Sequence, residues 1–246
     1  MLFIRGGWQR GRRELNLVVN DKYDDDQDAT NLVSNDADQK TLDSMERSHI
    51  WAERSLKEHQ RLGVDRGQAL YGIVHGGFFP DLRIRSAQFI SQRPFDGFAL
   101  GGSLGVGPHQ QEAKQAVEGA VRVLPEAKPR HLLGIGDLPS LRAAIPMGLD
   151  TFDSAFPTKL ARHGGALIDE FTPGINVGRA AFTRQFNEPI DRTCPCSTCQ
   201  RFSLAYLHHL QKAHEPVLAT YLAVHNLTAI HRMMKRMRQD IIDGRV

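Results

Sequence analysis

Four short apolar runs, each stopped by glycine or proline and each parted from the next by a helical pattern, leave this chain few architectures. Ala69–Val74 runs into His75-Gly76-Gly77, Phe95–Leu100 into Gly101-Gly102, and His131–Ile135 into Gly136. Leu149–Phe156 is closed by Pro157 and by the glycines at 164 and 165. Short apolar runs bounded in this way read as buried strands. Leu82–Gln92, Gln110–Val123 and Leu138–Met147 lie between them and read as helices from their apolar spacing and their Pro or Gly punctuation. Alternation of this kind predicts a parallel sheet with crossover helices. A long amphipathic helix over Asp38–Gly63 precedes the four units, with Leu42, Met45, Ile50, Trp51 and Leu56 at three- and four-residue steps.

The fourth run carries a candidate for chemistry. Asp153 sits near its carboxyl end, and a carboxylate inside an apolar strand is expensive to bury without a partner, which favours a functional role. Lys159 and Arg162 follow it with the positive charge that an anionic substrate such as nucleic acid requires. The whole-chain balance, 31 basic minus 28 acidic residues, is only +3, so local charge has to carry that argument. With 246 residues, 41% hydrophobic and 24% charged, the chain is long enough for a barrel-sized domain or two smaller ones. It has no apolar run near the roughly 18 residues of a membrane span, and Met-Leu-Phe-Ile-Arg-Gly-Gly lacks a signal peptide's apolar core, so a cytoplasmic placement without membrane partners is expected.

Cys194, Cys196 and Cys199 are the only cysteines, an odd number within six positions, and they suit a metal knuckle better than a disulfide framework. Three thiolates and one imidazole would complete a closed, structural tetrahedral Zn²⁺ site. Spacing does not choose among His208, His209, His214, His225 and His231. A last helix over Pro216–Asp240 places Leu218, Tyr221, Leu222, Leu227, Ile230, Met233, Met234 and Met237 broadly on one side as a core stripe. Arg232, Lys235, Arg236 and Arg238 lie on its polar side, a solvated face or a phosphate or dimer contact. Residues 1–36 read as a solvated segment with a basic start, a strand over Leu15–Val19 and a cluster of acids. Gly165–Ile190 reads as loops and short strands without chemistry of its own.

Several of these motifs, in order, resemble the tRNA-guanine transglycosylases, the queuine tRNA-ribosyltransferases. Phe152-Asp153-Ser154-Ala155-Phe156-Pro157-Thr158-Lys159-Leu160-Ala161-Arg162-His163-Gly164 resembles the segment around that family's catalytic aspartate. Gly72–Gly77 resembles its GIVQGG, with His75 where the family has a base-binding glutamine. Asp96–Ser103 resembles FDGYAIGGLAVGE, in which backbone at the position of Gly102 contacts the base. Leu132–Gly136 resembles LMGVG, with Leu133 at a residue that packs on the base. Gln27-Asp28-Ala29-Thr30-Asn31 resembles a loop whose aspartate recognises guanine, which puts Gln27 or Asp28 at that role. The Cys194-Pro-Cys196-Ser-Thr-Cys199 and His225-Asn226 pattern is similar to the family's ligand set, which selects His225 as the fourth ligand of one structural Zn²⁺ per chain.

The resemblance implies the C-terminal half of a (β/α)8 TIM barrel at 37–185 and a zinc-binding subdomain with the C-terminal helix at 186–246. The N-terminal half of the family's barrel, with its general acid/base aspartate, has no match here. The implied activity is exchange of guanine at the tRNA wobble position for queuine or a deazaguanine precursor through a covalent ribosyl-aspartate at Asp153. Lys159 and Arg162 would contact the RNA, in a homo- or heterodimer. The alternative is a non-catalytic tRNA-binding or dimer-partner subunit of the same family; a barrel enzyme acting on a small metabolite is the third and weakest expectation.

Overall fold

A computed structural model describes residues 2–3, 35–62, 67–101, 110–168 and 174–245. They divide into two compact units, one drawn from 35–133 and 144–151, the other from 2–3, 134–143 and 152–245. The element order is β1 (Leu2–Phe3), α1 (Asn35–Leu62), β2 (Tyr71–Val74), α2 (Pro80–Ser91), β3 (Gly97–Leu100), α3 (Gln110–Val123), β4 (Arg130–Leu132), α4 (Leu138–Ala144) and β5 (Thr151–Phe152). Then come α5 (Phe156–Arg162), β6 (Gly165–Ala166), β7 (Ile175–Asn176), a 3-10 turn at Ala180–Phe182, α6 (Ser197–Arg201), α7 (Leu204–Lys212) and α8 (Val217–Ile242).

In the first unit β2, β3 and β4 lie side by side and parallel, as the βα alternation requires, with Tyr71 opposite Gly97 and Phe98 opposite Arg130. Asp150 donates its N–H to the Arg130 carbonyl at 2.8 Å and continues the ladder toward Thr151. β3 is buried along its whole length, which is why it reads as an unbroken apolar run rather than an alternating one. Helices α2 and α3 pack on each other, with Ala87 and Ile90 of α2 and Ala116 and Ala120 of α3 fully enclosed. Burying side chains of Leu, Ile or Phe size stabilises by about 1.5–3 kcal/mol each.

The second unit is built around α8. Leu204, Leu207 and Leu210 of α7, Leu218 and Leu222 of α8, and Ala161 of α5 share one apolar cluster with Ile190 and all three cysteines. Ser203 caps α7, its hydroxyl accepting from the Tyr206 N–H at 3.3 Å. β6 and β7 pair antiparallel, Gly165 opposite Asn176.

The structure corrects several expected boundaries. The third run ends at Leu132 because Gly134 turns the chain with φ +72°. The fourth is a strand only over Thr151–Phe152, and Pro157, expected to close it with a loop, instead stands in the first turn of α5, where its missing N–H costs nothing. On α8 the buried stripe passes through Leu218, Leu222, His225, Asn226, Ile230, Met233 and Met234, whereas Leu227 is exposed. It is one step off the three- and four-residue spacing that the stripe follows. The described helices include none long and apolar enough to cross a membrane.

Candidate functional site

Asp153 follows β5 directly and is exposed. The burial cost that singled it out in the sequence is therefore not incurred; the backbone orients it instead. Gly134 donates its N–H to Asp153 Oδ1 at 3.1 Å. Two residues on, Gly136 packs so tightly on Ser154 that a Cβ there would come within 2.4 Å of the Ser154 Cβ. The Asp153 turn thus rests on a loop that leaves no room for a side chain at position 136. Gly136→Ala is expected to push Ser154 out of place, costing about 1–3 kcal/mol as an overpacked contact does. Urea unfolding checks this; a midpoint within error of the unmodified chain would contradict it. Ser154 Oγ accepts from the Phe156 N–H at 3.1 Å, and the Lys159 N–H bonds the Ala155 carbonyl at 2.8 Å, so the turn passes straight into α5. Lys159 and Arg162 both project from α5 into solvent.

His75 and Leu133 belong to the other unit. His75 follows β2 in a turn held from beneath by α2. Its N–H donates to Ser86 Oγ at 3.1 Å, and Ser86 Oγ also bonds His49 Nε2 at 2.9 Å. The fully buried Arg83 reaches the same turn, donating from Nη1 to the Val74 carbonyl at 2.8 Å and from Nε to the Gly77 carbonyl at 3.0 Å. His49 stacks on Phe89, ring centroids 3.9 Å apart. Leu133 is half-buried and donates its N–H to the Leu100 carbonyl at 3.1 Å; its side chain closes over Gly101. Gln27, Asp28 and Gly102 lie outside the described residues. Arg83, Ser86 and His49 were not singled out from the sequence, where they are single polar residues inside helical stretches.

Burial, with the nearby Arg83 guanidinium adding positive charge, pushes the His75 imidazole down to about 4. Burial, with Arg93 and Arg85, holds His49 at about 4 too. Both are neutral in the folded chain and take up protons near pH 6.5 once unfolded. Their contribution to stability is therefore complete above pH 6.5 and is lost as pH falls toward 4. The expected loss between pH 7 and pH 5 is about 2–4 kcal/mol, and His49→Gln should remove about half of that slope. Urea midpoints at pH 7, 6 and 5 decide the matter, a pH-independent midpoint being the contrary result.

The metal-ligand candidates come together. The ligand atoms of Cys194, Cys196, Cys199 and His225 all lie within 4.8 Å of one another, and the four residues are buried. His225 Nδ1 is 3.3 Å from Cys199 Sγ and 3.7 Å from Cys196 Sγ, while Nε2 donates to the Leu167 carbonyl at 2.5 Å. That outer bond fixes the tautomer that leaves Nδ1 as the donor atom for a cation. The Cys199 N–H points at Cys196 Sγ, 3.4 Å away, as a thiolate would favour. Burial first, and the neighbouring thiols after it, push the Cys194 and Cys199 thiols up, so a divalent cation is what makes thiolates favourable there. Nearby Asp191 accepts from the Thr193 N–H and Oγ1, both at 2.7 Å, and from Arg232 Nη1 at 2.8 Å. Arg232, read as part of a solvated or phosphate-facing side, is engaged in bracing this corner. The donor set, its tautomer and its second layer fit a closed, four-coordinate metal site with no position open for catalysis.

Comparison with known proteins adds a finding that geometry alone does not give. The family described as queuine tRNA-ribosyltransferase matches residues 27–246. A protein named queuine tRNA-ribosyltransferase from Protochlamydia amoebophila (strain UWE25) is 44% identical over 209 residues, covering 85% of this chain and 51% of that protein. Proteins of the same name from Roseiflexus sp. (strain RS-1) and Chlamydia caviae are 42% and 41% identical, covering 83% of this chain and 53% and 54% of their own lengths. The chain spans about half the length of the curated relatives it matches.

Proposed function

This chain belongs to the queuine tRNA-ribosyltransferase family, and from that premise we propose that it carries the nucleophilic half of a tRNA-guanine transglycosylase. The observation that supports this most is Asp153, exposed at a strand end with one carboxylate oxygen held by the Gly134 N–H. In the proposed reaction an Asp153 oxygen forms a bond to C1′ of the wobble guanosine as the C1′–N9 bond breaks. The bonding pair leaves with guanine, which takes up a proton. The incoming deazaguanine then attacks C1′, gives up its proton and releases the carboxylate. A carboxylate suits this role because it both stabilises and traps an oxocarbenium-like centre. Delivery of the proton to guanine is worth about 10²–10⁴ in rate.

His75, Leu133, Gly102 and Gln27 or Asp28 are assigned to the base. His75 can supply one hydrogen bond as donor or acceptor, but not an amide's paired donor and acceptor. Lys159 and Arg162 are assigned to RNA phosphates, which makes binding steeply salt-dependent. Cys194, Cys196, Cys199 and His225 are assigned to one structural Zn²⁺, in a subdomain of about 186–246 beside a half-barrel of about 37–185. Pairing with a second copy or a related subunit, and a cytoplasmic location, go with this reading.

The test is exchange of labelled guanine into a wobble-guanosine stem-loop, with denaturing gels to detect a protein–RNA adduct. It is run on the chain alone and with a polypeptide carrying the other half of the family's length. Adduct formation, with exchange rising on addition of that polypeptide, is the expected result. Salt-sensitive binding with no adduct under either condition would favour a non-catalytic tRNA-binding subunit.

A further inference from the structure

Asn226 stands beside the metal-ligand candidate His225 on α8 and is fully buried. Its side chain does not face the cysteines. Oδ1 accepts from the Leu167 N–H at 2.9 Å, and Nδ2 donates to the Pro157 and Gly165 carbonyls, each at 3.0 Å. Two carbonyls and one N–H dictate which end of the amide is which, so both of its donors and one of its two acceptor positions are used. His225 Nε2 meanwhile holds the Leu167 carbonyl. Two consecutive residues of α8 therefore secure both backbone groups of Leu167.

These partners bracket one element. Pro157 lies in the first turn of α5 and Gly165 just beyond its end, and α5 carries Lys159 and Arg162 and begins three residues after Asp153. On its other side the Asp153 turn is pinned by Gly134 and by the close approach of Gly136 to Ser154. We infer that Asn226 is a positioning residue for the reaction: it clamps both ends of α5 to the metal-bearing helix, so that the metal corner and the Asp153 turn share one rigid scaffold. The catalytic half of this inference rests on the assignment of Asp153 as nucleophile, and the scaffold half stands apart from it.

The experiment is amide hydrogen exchange on the zinc-loaded 246-residue chain, together with the rate of adduct formation on the stem-loop. In the unmodified chain the Leu167 amide should be among the slowest to exchange. Chelation should speed exchange across Phe156–Leu167 together with Cys194–Arg201. Asn226→Ala and the near-isosteric Asn226→Asp, which cannot donate to either carbonyl, should speed exchange over 156–167 at least about tenfold while α7 stays protected and zinc stays at one per chain. Adduct formation should fall about 10²-fold, the scale of a misplacement near 1 Å, with RNA affinity changed less than about threefold. A Leu167 amide that exchanges like an exposed loop, or chelation that loosens only 194–201, overturns the shared scaffold, and both are read on the unmodified chain even if the variants fail to fold. Faster exchange in the variants with an unchanged adduct rate reduces Asn226 to a structural residue and overturns the positioning role. Absence of adduct from the unmodified chain under both conditions of the exchange test would count against Asp153 as nucleophile, while the exchange data would still decide the clamp.

Discussion

Asp153→Ala is expected to eliminate the protein–RNA adduct and to lower guanine exchange by about 10⁴-fold or more, the scale on which loss of a covalent nucleophile is felt. The geometry makes this a clean experiment. Asp153 is exposed, so truncation opens no cavity, and the hydrogen bond that it forfeits, from the Gly134 N–H, is worth about 0.5–1.5 kcal/mol. Stability and stem-loop affinity should thus remain close to those of the unmodified chain. Asp153→Asn keeps the shape and can still accept from Gly134, and it should be equally inactive because an amide oxygen is a poor nucleophile. Exchange by Asp153→Ala at an undiminished rate would move the chemistry to another residue, whatever the family relationship.

Removal of the metal is expected to have the largest effect on folding. Cys194, Cys196 and Cys199 are part of the apolar cluster that joins α5, α7 and α8 rather than an appendage to it. Zinc bound by small Cys/His sites contributes an apparent 10–16 kcal/mol, comparable to the 5–15 kcal/mol that holds a typical domain together. EDTA, or Cys199→Ser, should therefore unfold α6, α7 and most of α8, with a large loss of helical circular dichroism. β2, β3 and β4 lie in the other unit and should keep more of their protection. Metal analysis should return one zinc per chain. A chain that keeps its melting temperature after zinc has been stripped would remove the metal from the account of stability.

Periodicity identified the βα units because burial on a sheet dictates it, and α3 was bounded at Gln110 and Val123 in both sequence and structure. The cysteine spacing was legible for a similar reason, since short-range geometry limits what three thiols can do. Other features were not legible because their causes lie far away along the chain. Pro157 looks like a terminator until α5 is seen to begin beside it. The bonds from Asn226 span 59 to 69 residues, and nothing periodic marks a buried amide that serves three backbone groups. Arg83 resembles any helix-surface arginine in sequence, yet it is wholly enclosed, with two of its donors taken up by the carbonyls of Val74 and Gly77.

Arg83 and Ser86 hold the turn after β2 by its main chain: two carbonyls and the N–H of His75. Backbone shape and side-chain identity at position 75 are in this sense separate variables. A residue with different hydrogen-bonding capacity can be installed there without rebuilding the turn that presents it. On the proposed assignment of His75 to the base, an engineer altering base selectivity would vary position 75 while leaving positions 83 and 86 untouched.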